Sequence, residues 1–199
     1  MGEKIILEGY HGTDYDVAKI IISSGFKFKE NKEHWLGNGI YFYNDISLAK
    51  WWTRKPTNKF GTDIKVPGVI KCVLTVDIDR ILDLRKLDHY IWFTEKYKEF
   101  YDRVLNSEIV VEKDEASDEF KTKQLRCAFC DFLKYKFNID ALVGTFDLPE
   151  QPYLPCEYGT GFNKFALHYI ETQICVYNQG IITNKQMIEL QNKGRWQYV

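Results

Sequence analysis

Two short stretches near the N-terminus constrain what this chain can fold into: Tyr10-His11-Gly12-Thr13, and Gly37-Asn38-Gly39-Ile40-Tyr41-Phe42-Tyr43. An apolar run precedes the first stretch, and apolar residues at helical spacing follow it as far as Gly25. These patterns place His11 where a strand ends and a helix begins. A strand end holds a side chain rigidly, and a glycine lets a ligand approach the backbone.

The second stretch has two glycines and then alternating aromatic residues, which predicts a turn that leads into a strand. Asp45 follows it as the predicted N-cap of a helix that carries Ala49, Trp51 and Trp52. Two strand ends, one with His-Gly and one with an aromatic residue, predict a cleft for a planar, polar ligand.

The length of 199 residues fits one domain, which we expect to span residues 1–199, and 45% hydrophobic residues suffice for a core. The formal net charge is −1, so no overall field draws the chain to nucleic acid, although a local basic groove stays open. No apolar run is long enough to span a bilayer, so we expect no membrane association. Five scattered cysteines and the lack of a signal-peptide pattern predict a reduced, cytoplasmic protein.

The rest of the chain alternates between strand and helix patterns, which predicts an α+β class. We predict helices at residues 83–105 and 120–137, and strands at residues 68–77, 139–146, 165–169 and 171–177. Cys127 and Cys130 have the spacing of metal ligands, but they lie in a helical pattern without a second pair, so no metal is expected.

The order His-Gly-Thr, then Gly-x-Gly-Ile-Tyr-Phe, then a helix with Ser47 and Ala49 resembles the ADP-ribosyltransferase superfamily. The similar branch is the diphtheria-toxin-like and poly-ADP-ribose-polymerase-like one. The resemblance covers residues 10–52 and returns at residues 171–178, with no shared motif between them. It implies the ADP-ribosyltransferase fold, in which a split, mixed β-sheet core with flanking helices holds NAD.

The resemblance implies contacts with NAD for six residues: His11, Gly12, Thr13, Tyr41, Ser47 and Trp51. His11 would bond a hydroxyl of the nicotinamide-side ribose, and the Gly12 backbone would pair with the carboxamide. Tyr41 and Trp51 would take the two faces of nicotinamide, with Trp51 standing where relatives often have tyrosine. Aromatic rings around a cationic pyridinium contribute on the order of 1–2 kcal/mol when desolvated.

The chain departs from the superfamily pattern at its third element. Relatives carry a catalytic glutamate in a strand, whereas this chain has Gln173 at the start of Gln-Ile-Cys-Val-Tyr. Glu171 lies two residues earlier and would point to the same face of a strand. Glu171-Thr172-Gln173 is similar to the Glu-x-Glu of arginine-modifying toxins with its second acid replaced.

Cleavage of the nicotinamide bond creates oxocarbenium character, which a carboxylate stabilises while it holds the ribose 2′-hydroxyl and orients the acceptor. A glutamine holds the hydroxyl but carries no charge. Three interpretations stay open: Glu171 supplies the charge, the acceptor is reactive enough or brings its own base, or the domain binds NAD with little turnover. We expect retained transferase activity, with Gln173, Glu171, His11 and Tyr41 as the catalytic residues.

The function that the resemblance implies is mono-ADP-ribosyl transfer from NAD to a macromolecular acceptor, either a protein or RNA or DNA. Polymer formation is not expected, because chain extension in this superfamily needs the glutamate. By analogy of fold with toxin–antitoxin transferases, we expect an intracellular toxin or antiviral defence effector with an antitoxin protein as partner. The alternatives are a catalytically weak NAD-binding interaction module and an NAD glycohydrolase.

The loop at residues 147–163 is long and holds three prolines, and such loops are uncommon unless they are functional. The resemblance assigns contact with the acceptor to the loop that leads into the catalytic strand. Its aromatic residues either pin the loop or stack a flat acceptor, which contributes roughly 1–3 kcal/mol per base of single-stranded nucleic acid. The predicted acceptor-binding residues are Tyr153, Tyr158 and Phe162.

Overall fold

The computed structural model describes residues 2–54, 64–106, 118–147 and 170–188. In chain order the elements in these ranges are β1 (Lys4–Asp14), α1 (Tyr15–Ser24), β2 (Ile40–Tyr43), α2 (Ile46–Trp52), β3 (Pro67–Asp77), β4 (Ile81–Asp83), α3 (Leu87–Asn106), α4 (Asp118–Phe137), β5 (Ala141–Asp147), β6 (Ile170–Val176) and β7 (Ile182–Ile188). A short 3₁₀ turn precedes β4 and another precedes β7. None of the helices in these ranges is long and apolar enough to cross a membrane.

The strands form one mixed sheet in the order β4-β5-β6-β2-β1-β3-β7. Within the described strands, β4 and β5 run parallel and the other neighbouring pairs run antiparallel. The joint between β2 and β1 is a single residue pair, Tyr10 with Tyr43, whereas β1 pairs with β3 along its full length. The sheet and its helices agree with the predicted α+β class, and the described strands form two halves of one sheet that meet at a narrow joint.

Both halves of the sheet contribute to one shared core. This cluster takes Phe42 and Ile174 from one half, Ile70 and Leu74 from the other, and Ile21 from α1. A second cluster packs α3 and α4 against the β4-β5-β6-β2 half. A third packs α2 at the joint, against β1, β2 and β3. The ends of β1 and β2 that carry the predicted site therefore lie where the two halves meet.

The ends of α1 and α2 follow local sequence signals, and the predicted cap Asp45 and predicted end Gly25 are confirmed. Asp14 caps α1 by accepting the Asp16 N–H at 3.0 Å, and Asp45 caps α2 by accepting the Ser47 N–H at 2.7 Å. Gly25 ends α1 with a φ of 86°, a conformation that other residues rarely adopt. These caps fix the directions in which both helices leave their strands.

The third helix begins later than the sequence predicts, at Leu87 rather than at Asp83. Residues 81–83 form the short strand β4 instead, which the sequence analysis did not predict. The Asp83 carboxylate accepts hydrogen bonds from the Arg85 guanidinium at 2.8 and 2.7 Å, and the Asp83 N–H donates to His89 Nδ1 at 2.9 Å. These local bonds turn the chain between the strand and the helix, which is why the helix cannot start at Asp83.

A tight turn at residues 36–39, which we call the 36–39 turn, lies between α4 and β6 and leads into β2. The Asp131 carboxylate accepts the backbone N–H and the side-chain amide of Asn38, each at 2.7 Å. A Cβ on Gly39 would come within 2.6 Å of Cys175 Sγ. The turn therefore requires glycine at this position, and its placement fixes where β2 begins.

We expect Asp131→Ala to lower the free energy of unfolding by about 1–3 kcal/mol, because two Asn38 donors lose a charged acceptor. Urea denaturation followed by circular dichroism measures this. Glu95→Ala, at an exposed position of α3, is the control and should change the stability by less than about 0.5 kcal/mol. Equal stability of Asp131→Ala and the wild type would show that the Asp131 carboxylate does not hold the turn.

Candidate active site

Beyond the pair of Tyr10 with Tyr43, the C-terminal part of β1 and the N-terminal part of β2 no longer pair with each other. Residues 11–14 continue to pair with β3, and residues 40–42 pair with β6, so neither stretch continues the ladder with the other. A wedge therefore opens between the two strand ends that the sequence analysis singled out.

His11 lies at this wedge, half-buried, with its ring edge-on to Phe26 and Phe42 at centroid distances of 5.2 and 5.9 Å. Its Nδ1 is 2.8 Å from the Tyr41 carbonyl oxygen. A carbonyl only accepts, so Nδ1 carries the hydrogen, and Nε2 of the neutral ring remains an acceptor. Desolvation lowers the pKa of His11 below its ordinary 6.5, although the bond to Tyr41 opposes this. The neutral form therefore predominates at pH 7.

Gly12 points toward α2. A Cβ at this position would lie 2.4 Å from the Ala49 carbonyl oxygen and 3.0 Å from Thr53 Cγ2. The sequence analysis attributed this glycine to the close approach of a ligand, and the packing of α2 on β1 is a sufficient reason by itself. Thr13, the next predicted site residue, is half-buried and pairs with Gly68 of β3.

The hydroxyl of Tyr41 is bound to the turn before β2. It accepts the Leu36 N–H at 2.7 Å and donates to the Gly37 carbonyl at 2.8 Å, while its ring meets the His34 ring edge-on at 5.6 Å. Burial raises the pKa of this hydroxyl far above its ordinary value, so Tyr41 stays neutral. Since the backbone occupies the hydroxyl, the ring is the part of Tyr41 that can contact a ligand.

Helix α2 places two further predicted residues beside the joint. Ser47 is exposed in the first turn, and its backbone N–H is bound by the Asp45 cap. Trp51 is half-buried in the cluster that contains Tyr10 and Tyr43. The Trp51 side chain therefore packs on the α2 side of the joint.

Glu171 and Gln173 lie on β6, the strand beside β2, and form a carboxylate–amide pair. Gln173 is opposite Tyr43, and its Nε2 donates to Glu171 Oε1 at 2.5 Å. The Glu171 side chain is buried, with the residue 8% exposed. Burial, and then the charge of Glu171, raise the pKa of Tyr43. A buried carboxylate, an amide and a neutral phenol thus lie together at the end of β2.

The alternation of side chains along β2 decides which predicted residues meet. Tyr41 and Tyr43 leave one face, together with the carboxylate–amide pair on β6. Phe42, against which His11 packs, leaves the opposite face. The structure thus brings the carboxylate–amide pair to Tyr43, while His11 is joined to Tyr41 through a backbone carbonyl. A ligand that contacts both groups must lie across the wedge.

Phe146 stands at the base of the predicted acceptor loop. Its ring meets the Trp35 ring edge-on at 4.9 Å, and on the sheet it pairs with Glu171. The predicted strand at residues 165–169 lies outside the described residues. The same is true of the three predicted acceptor contacts, Tyr153, Tyr158 and Phe162.

The residues that hold the 36–39 turn were not predicted from the sequence. Besides Asp131, these include Tyr177, whose hydroxyl donates to the Leu36 carbonyl at 2.6 Å. Arg126, which lies on the side of α4 that carries the buried Phe129, was not predicted either. The available signal was the apolar stripe of α4, because Arg126 precedes Phe129 by three positions, which places the two on one side of the helix.

Cys127 and Cys130 are buried thiols on α4. Burial raises the pKa of Cys127 to about 11 and that of Cys130 to about 12, so both stay protonated. In the part of the chain that the structure describes, no group of three or more His, Cys, Asp or Glu side chains converges on a metal position.

The lowered pKa of His11 makes stability depend on pH. The unfolded chain takes up a proton at His11 near pH 6.5 and the folded chain only at lower pH, so the contribution is complete above pH 6.5 and is lost as the pH falls below it. Urea unfolding at pH 7.5 and pH 5.5 should show a smaller loss for His11→Gln than for the wild type. His34, whose pKa is also lowered by desolvation, contributes to both proteins alike. Equal losses would refute the role of His11.

The chain is similar to an uncharacterized protein of the archaeon Methanocaldococcus jannaschii. The two are 29% identical over 195 residues, which cover 92% of this chain and 87% of that protein. No protein-family model matches the chain. No solved structure matches it. The similarity therefore spans nearly the whole chain, including both halves of the sheet, and the relative's name states no activity.

Proposed function

We propose that this protein is a mono-ADP-ribosyltransferase that takes ADP-ribose from NAD and transfers it to a macromolecule. The observation that carries the proposal is the hydrogen bond from Gln173 Nε2 to Glu171 Oε1. It holds the Glu171 side chain against Gln173, which stands where the superfamily has its catalytic glutamate. The proposal includes the ADP-ribosyltransferase fold, with NAD lying across the wedge between β1 and β2.

The carboxylate–amide pair divides the roles of one glutamate between two side chains. Because a carboxylate only accepts, Gln173 presents Nε2 to it, and Gln173 Oε1 remains to accept the ribose 2′-hydroxyl. The charge of Glu171 stabilises the positive charge that develops at the ribose as nicotinamide leaves with the electron pair of the glycosidic bond. The acceptor then forms the new bond at the same carbon and releases its proton. Burial strengthens this stabilisation, since the local dielectric is low.

His11 fits the ribose in its neutral form. The Tyr41 carbonyl fixes the ring and its tautomer, which leaves Nε2 to accept a ribose hydroxyl. An uncharged imidazole also avoids repulsion with the cationic nicotinamide ring. The rings of Tyr41 and Trp51 then supply the two faces between which nicotinamide lies.

The pair also favours transfer over hydrolysis. An amide takes no proton at neutral pH, so an acceptor that loses a proton easily reacts better than water does. The acceptor is a protein or nucleic-acid group. By analogy with toxin–antitoxin transferases, the cellular role is that of an intracellular toxin or defence effector with an antitoxin partner.

We expect His11→Ala to weaken NAD binding by roughly 3- to 10-fold, which is the loss of one ribose hydrogen bond. Tyr41→Phe should bind NAD nearly as well as the wild type, because its ring remains, but should be less stable, because the 36–39 turn loses its hydroxyl partner. Calorimetry on folded variants measures both affinities, with Tyr135→Ala at an exposed position as the control. Unchanged affinity in His11→Ala would remove the proposed cleft.

Turnover tests the carboxylate–amide pair. Incubation with labelled NAD and a cell lysate should transfer the label to a macromolecule. Treatment of separate samples with protease and with nuclease then shows which class of acceptor carries the label. Glu171→Gln should lower the rate by on the order of 100-fold, because it removes the charge, and Gln173→Ala by less. Normal transfer by Glu171→Gln would show that Glu171 supplies no catalytic charge. Release of nicotinamide without transferred label would indicate a glycohydrolase.

A further inference from the structure

Arg126 of α4 is a half-buried charged group that neither the fold nor the proposed reaction uses. Its Nε and Nη2 atoms are shielded from solvent, and among the described residues no atom accepts a hydrogen bond from them. Its guanidinium carbon lies 4.4 Å from the centroid of the Trp35 ring, over which the cation stacks. Buried polar groups nearly always have partners, and a desolvated cation without an acceptor destabilises a fold.

The surroundings of Arg126 explain why it lacks a counter-charge. Phe129 and Leu133, three and seven positions later on α4, are both fully buried, so Arg126 lies on the core side of the helix. Asp131, the acid nearby on the same helix, gives both of its oxygens to Asn38. The protein thus holds two guanidinium donors in place, and an acceptor must come from outside the described residues.

A chain of contacts links Arg126 to the carboxylate–amide pair. Trp35, on which Arg126 stacks, meets Phe146 edge-on, and Phe146 pairs with Glu171 across β5 and β6. Trp35 is 39% exposed, so solvent reaches this site at the indole. The site lies on the Phe146 side of the sheet, away from the face of β2 where His11 packs.

We propose that Arg126 and Trp35 form a phosphate-binding subsite for a nucleotide unit of the acceptor, beside the carboxylate–amide pair. The guanidinium fork matches two phosphate oxygens, and phosphate carries enough acceptor oxygens to satisfy both unpartnered N–H donors. The exposed part of the Trp35 indole offers a surface on which a base stacks. The assignment to the acceptor rests on the proposed function and makes that acceptor a nucleic acid. The phosphate subsite itself does not depend on it.

The first test is stability without any ligand. Arg126→Met keeps an unbranched stem against Trp35 and removes the unsatisfied donors, so in phosphate-free and sulfate-free buffer it should melt about 2–4 °C higher than the wild type. Arg103→Met, at an exposed position of α3, is the control and should leave the melting temperature unchanged. A lower melting temperature for Arg126→Met would show that Arg126 supports the fold, and would overturn the proposal.

The second test is calorimetric titration with AMP and with adenosine, which lacks the phosphate. The wild type should bind AMP more tightly than adenosine, and Arg126→Met should lose on the order of 10- to 100-fold in AMP affinity while its adenosine affinity stays unchanged. Trp35→Leu should weaken both. A wild type that does not bind AMP, or an AMP affinity that Arg126→Met leaves unchanged, overturns the subsite.

NAD titration of the same variants separates the two proposals. Unchanged NAD affinity in Arg126→Met supports a phosphate of the acceptor. An equal loss for NAD and AMP assigns the subsite to the NAD diphosphate and overturns the acceptor assignment. A protein that binds AMP through Arg126 but does not bind NAD refutes the proposed transferase and keeps the phosphate subsite.

Discussion

The close packing of the 36–39 turn between α4 and β6 is the constraint on which the rest of the structure depends. A Cβ on Gly39 would lie 2.6 Å from Cys175 Sγ, and one on Gly37, whose φ is 77°, would lie 2.8 Å from an Asp131 oxygen. Forcing atoms into such a site typically costs about 1–3 kcal/mol. Two glycines thus allow β2 to enter the sheet beside β6, and this placement sets the register of Tyr43 opposite Gln173.

The same turn ties the candidate site to the core. Its carbonyls at Leu36 and Gly37 accept hydrogen bonds from the hydroxyls of Tyr177 and Tyr41, so two phenols and two backbone groups satisfy one another. Tyr41 therefore has a structural role whether or not its ring contacts nicotinamide. Gly12 is similar, since α2 already excludes a side chain there. Because the fold alone requires both residues, they distinguish a transferase from a non-catalytic relative poorly.

Local patterns explain what the sequence could predict. The cap at Asp45 and the glycine end of α1 depend on neighbouring residues, and they were predicted correctly. The joint between the two halves of the sheet could not be predicted, because one cross-strand pair decides it. The bond between Asn38 and Asp131 joins residues 93 positions apart, and no local pattern encodes such a distance. The predicted roles in NAD binding stay predictions.

The later start of α3 shows the same limit on a smaller scale. The apolar spacing after Asp83 is helical, but the Asp83 carboxylate accepts the backbone N–H of Arg85 at 3.1 Å and keeps the chain in a turn. A side chain that bonds so close to its own backbone position competes with helix formation. Arg126 was not predicted from the sequence, because its lack of a hydrogen-bond acceptor depends on residues that are distant in the chain.

The carboxylate–amide pair gives a physical reason why a glutamine at position 173 is compatible with catalysis. Two carboxylates within hydrogen-bond distance cannot both be ionised readily, so a Glu-x-Glu pair here would share one proton. Gln173 donates an amide N–H to Glu171 in place of that shared proton. The substitution therefore keeps one carboxyl group in the site and removes the need for a proton shared between two acids.

In the proposed transferase, the glutamine at position 173 changes the distance between the carboxylate, now on Glu171, and the ribose carbon that reacts. Residues two apart on a strand are separated by about 6.6 Å, although the hydrogen bond draws their side chains together. At an effective dielectric of 20, attraction between unit charges falls from about 4 kcal/mol at 4 Å to about 2.4 kcal/mol at 7 Å. The loss of about 1.6 kcal/mol corresponds to roughly a 15-fold slower step. More than half of the electrostatic stabilisation remains, so under the proposed function we expect Glu171 to support a slower transfer step.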